Sequence, residues 1–114
     1  MTDCLFCSIV AMEIPADIVH VSDRVVAFRD IDPKAPVHIL LVPKAHIESA
    51  GNLTEKDAPM LGELFSGAAH LAKAEGIDGA GFRLVTNAGP EGGQEVGHLH
   101  VHLLGGRQMT WPPG

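Results

Sequence analysis

The chain has 114 residues, of which 46% are apolar and 19% charged, and its 8 Lys and Arg against 14 Asp and Glu give a formal net charge of -6. This length and composition predict one folded domain spanning residues 1–114 and exclude a mainly disordered chain. The acidic balance, with no basic cluster, excludes duplex nucleic acid as an expected partner. No apolar run approaches the ~20 residues of a membrane span and no signal-peptide layout opens the chain, so we expect a cytoplasmic protein with no membrane partner.

The first half of the chain predicts a short helix followed by three strands. The helix is expected over residues 4–12, where apolar side chains recur on one face before Pro15. Runs rich in β-branched residues then predict strands over residues 18–21, 25–29 and 38–42. Ser22 and Asp23 fit a tight turn, so the first two strands are expected to pair as a hairpin.

A longer helix dominates the second half. It is expected over residues 54–75, with an apolar stripe on one face and Gly76 as its stop. Thr54 begins a capping-box pattern, but Pro59 sits awkwardly after that start, which leaves Asp57 as the other candidate cap. Two further strands are predicted over residues 81–87 and 98–104. With one short and one long helix, these strands indicate an α+β fold on a five-stranded antiparallel sheet.

Three histidines fall in one predicted strand, where they alternate with leucine and valine. They are His98, His100 and His102. On a strand, these imidazoles share one face while the apolar side chains between them enter the core. Three interpretations stay open at this point: a solvated sheet face, the ligand set of a metal hydrolase, or a nucleophilic imidazole with assisting neighbours.

A glycine-rich loop over residues 88–94 directly precedes this strand. Gly92 and Gly93 would let backbone N–H groups approach a phosphate closely, although such a pair of glycines alone is more often an ordinary turn. Beside a row of imidazoles, the loop favours phosphoryl or nucleotidyl transfer. In that chemistry a neutral imidazole attacks phosphorus, and no metal is needed for catalysis.

The two cysteines, Cys4 and Cys7, are spaced C-x-x-C. His46 follows Cys7 after 38 intervening residues and His98 follows after 51 more, which gives two thiolates and two imidazoles. That donor set suits tetrahedral zinc, and we expect such a zinc to be structural. The alternative is that both cysteines are merely small buried apolar residues.

The final segment, residues 92–114, has the sequence GGQEVGHLHVHLLGGRQMTWPPG. It resembles the signature of the histidine triad (HIT) family, and its ending is similar to the Hint branch in particular. Shorter segments also match Hint proteins in order, at residues 4–7, 13–16, 27–31, 36–38 and 42–47. The resemblance therefore covers essentially the whole chain.

This resemblance implies a purine nucleoside phosphoramidase that hydrolyses adenosine 5'-monophosphoramidate and related AMP-N conjugates through a covalent AMP-histidine intermediate. His100 matches the family nucleophile. His102 matches the residue that hydrogen-bonds the phosphate region, and His98 matches the first triad member, whose carbonyl orients the nucleophilic ring. Some HIT proteins also carry the set of two cysteines and two histidines as a structural zinc site.

The resemblance also implies which residues bind the purine nucleotide. Phe28, Asp30 and Ile31 match positions that hold the nucleoside, and the carboxylate suits a ribose diol. The loop positions that match the surroundings of the α-phosphate are Asn87, Gly93, Gln94 and Val96. On the residues alone, Phe28 and Ile31 could equally be core residues, and Asp30 could be a turn former.

Three positions depart from the Hint pattern of animal proteins. Glu95, within the phosphate loop, stands where those proteins have a serine that is thought to protonate the leaving amine. Arg29 replaces a histidine beside the nucleoside site. Gly97 stands where a bulky residue or proline is common, so the approach to His98 is expected to be more open or more mobile.

The sequence leaves rival functions open. A dinucleoside polyphosphate hydrolase or a nucleotidyl transferase would use the same imidazole row, since both occur in the wider family. A nucleotide-binding interaction module, whose slow hydrolysis is incidental, is the alternative from a different class.

The C-terminal tail predicts a two-fold homodimer. Trp111 follows the last strand too late to enter this chain's own core, and Pro112 and Pro113 keep the tail extended. Tryptophan is enriched where partners meet. In Hint proteins, which this tail resembles, the sheet pairs with its twin and the tail reaches the partner's nucleotide site. The alternative is a mobile tail with a solvent-facing Trp111.

Overall fold

The computed structural model describes residues 4–114. Two α-helices and five strands follow in chain order. They are α1 (Leu5–Val10), β1 (Ile18–Val21), β2 (Val25–Arg29), β3 (Val37–Pro43), α2 (Ala58–Ala74), β4 (Phe82–Val85) and β5 (Val101–Gly105). Two 3-10 turns, Ala50–Asn52 and Glu55–Asp57, precede α2. The predicted α+β architecture, with one short and one long helix, is confirmed.

All five strands form one antiparallel sheet in the order β1-β2-β3-β5-β4. The predicted hairpin joins β1 and β2, with the N–H of Ser22 donating to the carbonyl of Val25 at 2.9 Å. After β3 the chain crosses through α2 to the far edge, forms β4 there, and returns as β5 to pair with β3. The segment that carries the three histidines therefore lies near the centre of the sheet.

Both faces of the strands β2 and β3 are buried, because α2 packs on one face and α1 on the other. The core on the α2 face is built mainly from β2, β3, β5 and α2, and includes Val25, Ala27, Ile39, Leu41, Leu64, Ala68, Leu71, Val101 and Leu103. The core on the α1 face contains Phe6, Ile9, Val26, Phe28, Leu40 and Val42. Alternate residues of β2 and β3 thus enter different cores, which explains why these strands are almost continuously apolar.

Both candidate caps, Thr54 and Asp57, take part in the start of the long helix. Thr54 and Asp57 form a reciprocal capping box around the 3-10 turn Glu55–Asp57, and α2 begins at Ala58 rather than at residue 54. Pro59 then lies in the first turn of α2, where a missing N–H costs nothing. Within residues 4–114, neither helix has the length and apolar character needed to cross a bilayer.

The last predicted strand begins later than expected. Residues 98–104 are predicted, whereas β5 spans Val101–Gly105. The backbone of His98 and Leu99 bonds outside the ladder, since His98 donates to the Val96 carbonyl and Leu99 donates to the Ile47 carbonyl at 2.6 Å. Side chains nevertheless alternate as predicted: Leu99, Val101 and Leu103 enter the core on the α2 face.

Candidate functional site

A cavity of about 560 Å³ opens on the α1 face of the sheet. Its walls include two of the three triad histidines and most of the residues predicted to bind a nucleotide. These are Phe28, Asp30, Ile31, Asn87, Gly93, Glu95, Val96, His100 and His102. The fold thus brings together the end of β2, the glycine-rich loop and β5, which are distant in sequence.

His100 is buried in this cavity wall, with its ring fixed by a neighbouring backbone group. Its Nδ1 lies 2.7 Å from the carbonyl oxygen of His98. Because a carbonyl oxygen can only accept, Nδ1 carries the proton and Nε2 keeps its lone pair. Phe6 packs its ring against the imidazole at a centroid distance of 5.0 Å. The arrangement leaves His100 with a nucleophilic nitrogen and little freedom to rotate.

His102 is held by a fourth histidine, His38, which the sequence analysis did not select as a site residue. Nε2 of His38 lies 2.8 Å from Nδ1 of His102, and the backbone N–H of Lys34 donates to Nδ1 of His38 at 3.0 Å. That second bond places the proton of His38 on Nε2, which donates it to His102. His102 consequently carries its own proton on Nε2. The sequence signal that could have identified His38 was its place as a polar residue inside the otherwise apolar, buried strand β3.

Burial keeps three of these imidazoles neutral. Desolvation is the largest influence on each, and it lowers the pKa of His38 and of His98 below the ordinary value. The pKa of His102 is lowered to about 4, mainly by desolvation and then by the neighbouring imidazoles of His100 and His38. At neutral pH, His102 is therefore a neutral hydrogen-bond donor through Nε2.

Asp30 acts as a turn former, one of the two roles considered for it, while its contact with a nucleoside stays a prediction. One carboxylate oxygen accepts the backbone N–H of Asp32 at 2.8 Å, as in a turn, while the other lies 3.4 Å from Nε2 of His38. The residue also lines the cavity. Donor atoms of Asp30, His38 and His102 lie within 4.8 Å of one another, a grouping that their hydrogen bonding accounts for.

The side-chain amides of Asn87 and Gln94 hold the loop that precedes the histidines. Gln94 accepts the N–H of Gly89 and donates to the carbonyls of Val96 and Glu48. Asn87 donates to the carbonyl of Gly92 at 2.7 Å and also faces the cavity. The side chain of Gln94 is thus used within the loop and is absent from the cavity wall.

Two predicted nucleotide-binding residues are largely exposed. Ile31 is 99% exposed at the cavity, and Trp111 is 83% exposed in the tail, away from this chain's own cavity. Arg83 of β4 anchors the tail by donating to the Thr110 carbonyl at 2.8 Å. Neither apolar side chain is covered by residues of the described chain.

The four predicted metal ligands converge around the ring of His98. Donor atoms of Cys4, Cys7, His46 and His98 all lie within 4.8 Å of one another. Nδ1 of His98 is 3.3 Å from Sγ of Cys4, and Nδ1 of His46 is 3.3 Å from Sγ of Cys7. Nε2 of His98 donates to the Pro43 carbonyl at 2.9 Å, which leaves Nδ1 unprotonated toward the sulfurs. Two thiols and two imidazoles whose Nδ1 atoms face the sulfurs fit a tetrahedral zinc ion.

This geometry contradicts the idea that the three triad histidines bind one metal. Their ring nitrogens do not group, because Nδ1 of His98 faces the sulfurs while Nδ1 of His100 faces a carbonyl and Nδ1 of His102 faces another imidazole. His100 and His102 share the cavity wall with their rings 5.0 Å apart, whereas His98 faces the sulfurs, although all three lie on one side of the chain. The interpretation as a triple-histidine metal hydrolase is therefore wrong.

Arg29 lies beside the cavity, where the resemblance placed it. It contributes to the cavity wall, and its guanidinium makes a bidentate contact with Glu75, just beyond α2, at 2.8 and 2.9 Å. Alternation along β2 directs this side chain to the face opposite Phe28. The guanidinium therefore links β2 to the end of α2.

Comparison with known proteins agrees with this architecture. The model of the HIT domain family matches residues 11–109. A Brassica juncea protein named "14 kDa zinc-binding protein" is 51% identical, with 98% of this chain and 100% of the relative covered. The Arabidopsis thaliana "Adenylylsulfatase HINT1" is 49% identical, with 96% of this chain and 76% of the relative covered.

Solved structures give the same assignment. A HIT family hydrolase from Legionella pneumophila superposes with a TM-score of 0.96 at 51% identity, covering 98% of this chain and 100% of the other. A histidine triad protein from Clostridium difficile superposes with a TM-score of 0.92 at 43% identity, covering 96% of each chain. The chain belongs to the HIT domain family.

Proposed function

We propose that this protein is a nucleotide hydrolase that cleaves the P–N bond of AMP phosphoramidates through a covalent AMP adduct on His100. The observation that carries the proposal is the bond from Nδ1 of His100 to the carbonyl of His98, which leaves Nε2 as a free nucleophile inside the cavity. Relatives of similar length are named as HIT family hydrolases, which supports hydrolysis as the reaction class.

The reaction balances in two steps. First, Nε2 of His100 forms a bond to phosphorus while the P–N bond of the substrate breaks, and the leaving nitrogen takes up one proton from solvent to depart as an amine. Water then attacks phosphorus, the bond to His100 breaks, AMP leaves, and the proton is returned to solvent. The Nε2–H of His102 is positioned to donate to a phosphoryl oxygen in both steps.

The nucleoside end is assigned to residues at the end of β2 and directly after it. Phe28 offers an apolar wall and Asp30 a carboxylate acceptor for ribose hydroxyls. Glu95 takes the loop position next to the leaving group. As a carboxylate it cannot donate a proton, so its backbone N–H is the only donor that it contributes to the phosphate.

Mass spectrometry and comparative kinetics test this proposal. Wild-type protein quenched during turnover of an AMP-amine conjugate is expected to carry one AMP, and the adduct should be absent from the His100→Asn variant. Turnover by that variant should fall by about 1000-fold or more, while AMP binding persists. A His100→Asn variant with near wild-type turnover would contradict the mechanism.

The rival substrates are separated in the same assay. A dinucleoside polyphosphate, adenylyl sulfate and AMP alone are compared with the AMP-amine conjugate. We expect the conjugate to have the highest kcat/KM. Faster cleavage of a dinucleoside polyphosphate or of adenylyl sulfate would favour the corresponding hydrolase, whereas nucleotide binding without appreciable turnover of any compound would favour the interaction module.

We further propose that the group of Cys4, Cys7, His46 and His98 binds a structural zinc ion. Its support is the convergence of donor atoms and the imidazole tautomer set by Pro43. When bound, zinc would hold the start of α1 against the segment that carries the nucleophile. It takes no part in the two chemical steps. The name of the Brassica juncea relative is consistent with this assignment.

We propose in addition that the protein forms a two-fold homodimer. The strand β4 lies at an edge of the sheet, and its first residue, Phe82, is exposed. An open strand edge favours pairing with another chain. The tail that carries Trp111 extends beyond that edge region and offers an apolar side chain to a partner.

A further inference from the structure

A second cavity, of about 700 Å³, adjoins the nucleotide cavity. The two share Leu5, Glu95 and Val96 as wall residues, so that the second cavity begins where the loop beside His100 ends. In the proposed reaction, the leaving group departs on the side of the phosphorus that faces away from the nucleophile. The substituent of a leaving amine therefore has a defined space close to the phosphate loop.

Two carboxylates set the charge of this second cavity. Glu48 and Glu95 both line it, and neither lysine nor arginine contributes to its wall. Three of the proposed zinc ligands, Cys4, Cys7 and His46, also line the cavity, and a zinc ion with two thiolates and two neutral imidazoles would add no net charge. Nε2 of His46 lies 3.9 Å from Oε1 of Glu48. The cavity consequently offers negative charge to whatever enters it.

The nearest basic side chains are already paired with other carboxylates. Lys34, on the wall of the nucleotide cavity, contacts Asp32 at 2.7 Å, and Arg29 contacts Glu75. They leave Glu48 and Glu95 without a lysine or arginine partner among the ion pairs of the described chain. An incoming cation would therefore meet two carboxylates that form no ion pair with lysine or arginine, although Glu95 interacts electrostatically with Lys34 and Glu48 contacts His46.

Gly97 also lines the second cavity, beside Glu48. A β-carbon at this position would lie 3.0 Å from Oε2 of Glu48, so another residue would shift that exposed carboxylate by a few tenths of an ångström. The position that departs from the usual Hint pattern is thus directly beside one of the two carboxylates. An open cavity, two carboxylates and a glycine coincide here.

From this arrangement we infer that the second cavity is a leaving-group subsite that selects amines carrying an additional positive charge. The inference rests on the proposed function, since it concerns the amine released from an AMP phosphoramidate. Diamines and other amines with a cationic end are the favoured class. Leaving groups that carry negative charge, such as sulfate or a polyphosphate, are disfavoured by the same carboxylates.

Three matched substrates test the subsite. Each is AMP joined through a P–N bond to a linear amine of one length, ending in an ammonium, a methyl or a carboxylate group. Wild-type kcat/KM is expected to decrease in that order. The ratio between the ammonium and carboxylate compounds should fall by about 1.5- to 5-fold in Glu48→Gln and in Glu95→Gln, and further in the double variant. Added salt should lower the wild-type ratio in the same direction.

Glu91→Gln is the matched control, because it removes the same charge from the same loop without lining either cavity. Its substrate ratio should equal that of wild type. Binding of the three compounds to His100→Asn gives the charge preference without turnover. Hydrolysis of the methyl compound with no charge preference in turnover or binding would overturn the subsite alone. Absence of any hydrolysis, with the ammonium compound still bound best, would overturn the proposed function and support the subsite.

Discussion

Nε2 of His38 lies 2.8 Å from Nδ1 of His102, while the backbone N–H of Lys34 donates to the other ring nitrogen of His38. The direction of both bonds follows from the amide, which can only donate. A backbone group in the turn before β3 thereby determines which nitrogen of His102 carries a proton. His38 acts as a positioning residue, because it affects the substrate through His102.

Replacing His38 with leucine is expected to lower kcat by about fivefold, since the hydrogen bond that fixes the tautomer of His102 is worth about 1 kcal/mol. Nitrogen NMR of the imidazoles should show His102 protonated at Nε2 in wild type and a mixture of tautomers in the variant. His70→Leu, on the exposed face of α2, is the control for loss of a histidine. A His38→Leu variant with wild-type kcat and an unchanged His102 tautomer would contradict this role.

Acid is expected to destabilise the fold through His102. Its pKa is about 4 in the folded protein, against 6.5 as the ordinary value, so between these values the unfolded chain binds more protons. The free energy of unfolding should therefore decrease as the pH falls from 6.5 toward 4, by at most about 1.4 kcal/mol per pH unit from this group. Urea unfolding of wild type and His102→Gln between pH 7 and 4.5 measures the effect, and the variant should show the flatter profile. Parallel profiles would show that His102 is not the responsible group.

Protein purified without chelator is expected to contain about one zinc ion per chain, held by two cysteines and two histidines. Removing it should lower the thermal midpoint, because metal binding contributes directly to folding. Cys7→Ser should show the same loss. Below the unfolding temperature, chelator should leave the rate of hydrolysis unchanged. A metal-free protein with both thiols fully titratable would refute the zinc site.

The ion pair between Arg29 and Glu75 is expected to stabilise the contact between β2 and the end of α2. Arg29→Met and Glu75→Gln should each lower the free energy of unfolding by about 0.5–1 kcal/mol, because the pair is bidentate but partly exposed to solvent. A double-mutant cycle separates the coupling between them from other effects. Additive losses in the double variant would show that the pair contributes no stability of its own.

The homodimer predicts a sedimentation mass of twice 12.0 kDa. Deleting residues 109–114 should change substrate preference more than it changes the free energy of unfolding, because the tail is exposed and contacts its own chain mainly through Arg83. Kinetics on two AMP conjugates with different amines measure the preference. A monomer at micromolar concentration, with unchanged kinetics after the deletion, would contradict the dimer.

Periodicity was sufficient to predict the strands, since the alternation of His98, His100 and His102 with apolar residues survives in the structure. The strand boundary was not predictable, because it depends on tertiary bonds such as that from Leu99 to the Ile47 carbonyl. The cysteine and histidine spacing likewise led to the group whose donor atoms converge.

Other parts of the site depend on contacts that no local pattern reveals. His38 looks like an isolated polar residue in a buried strand until β3 and β5 pair and place it beside His102. Glu48 joins Glu95 only because the segment after β3 folds against the phosphate loop, where Gln94 donates to its carbonyl. The resemblance suggested Gln94 as a phosphate neighbour, which stays a prediction, and in the structure its side-chain amide bonds within the loop and to the Glu48 carbonyl.

The alternation along β2 separates two kinds of evolutionary constraint within five consecutive residues. Phe28 faces the nucleotide cavity, whereas Arg29 directs its charge to Glu75 on the opposite face. Selection on the substrate and selection on thermal tolerance therefore act mainly through different side chains of adjacent codons, although Arg29 also contributes to the cavity wall. A lineage that adapts to heat can exchange Arg29 and Glu75 as a pair while Phe28 keeps its place in that wall.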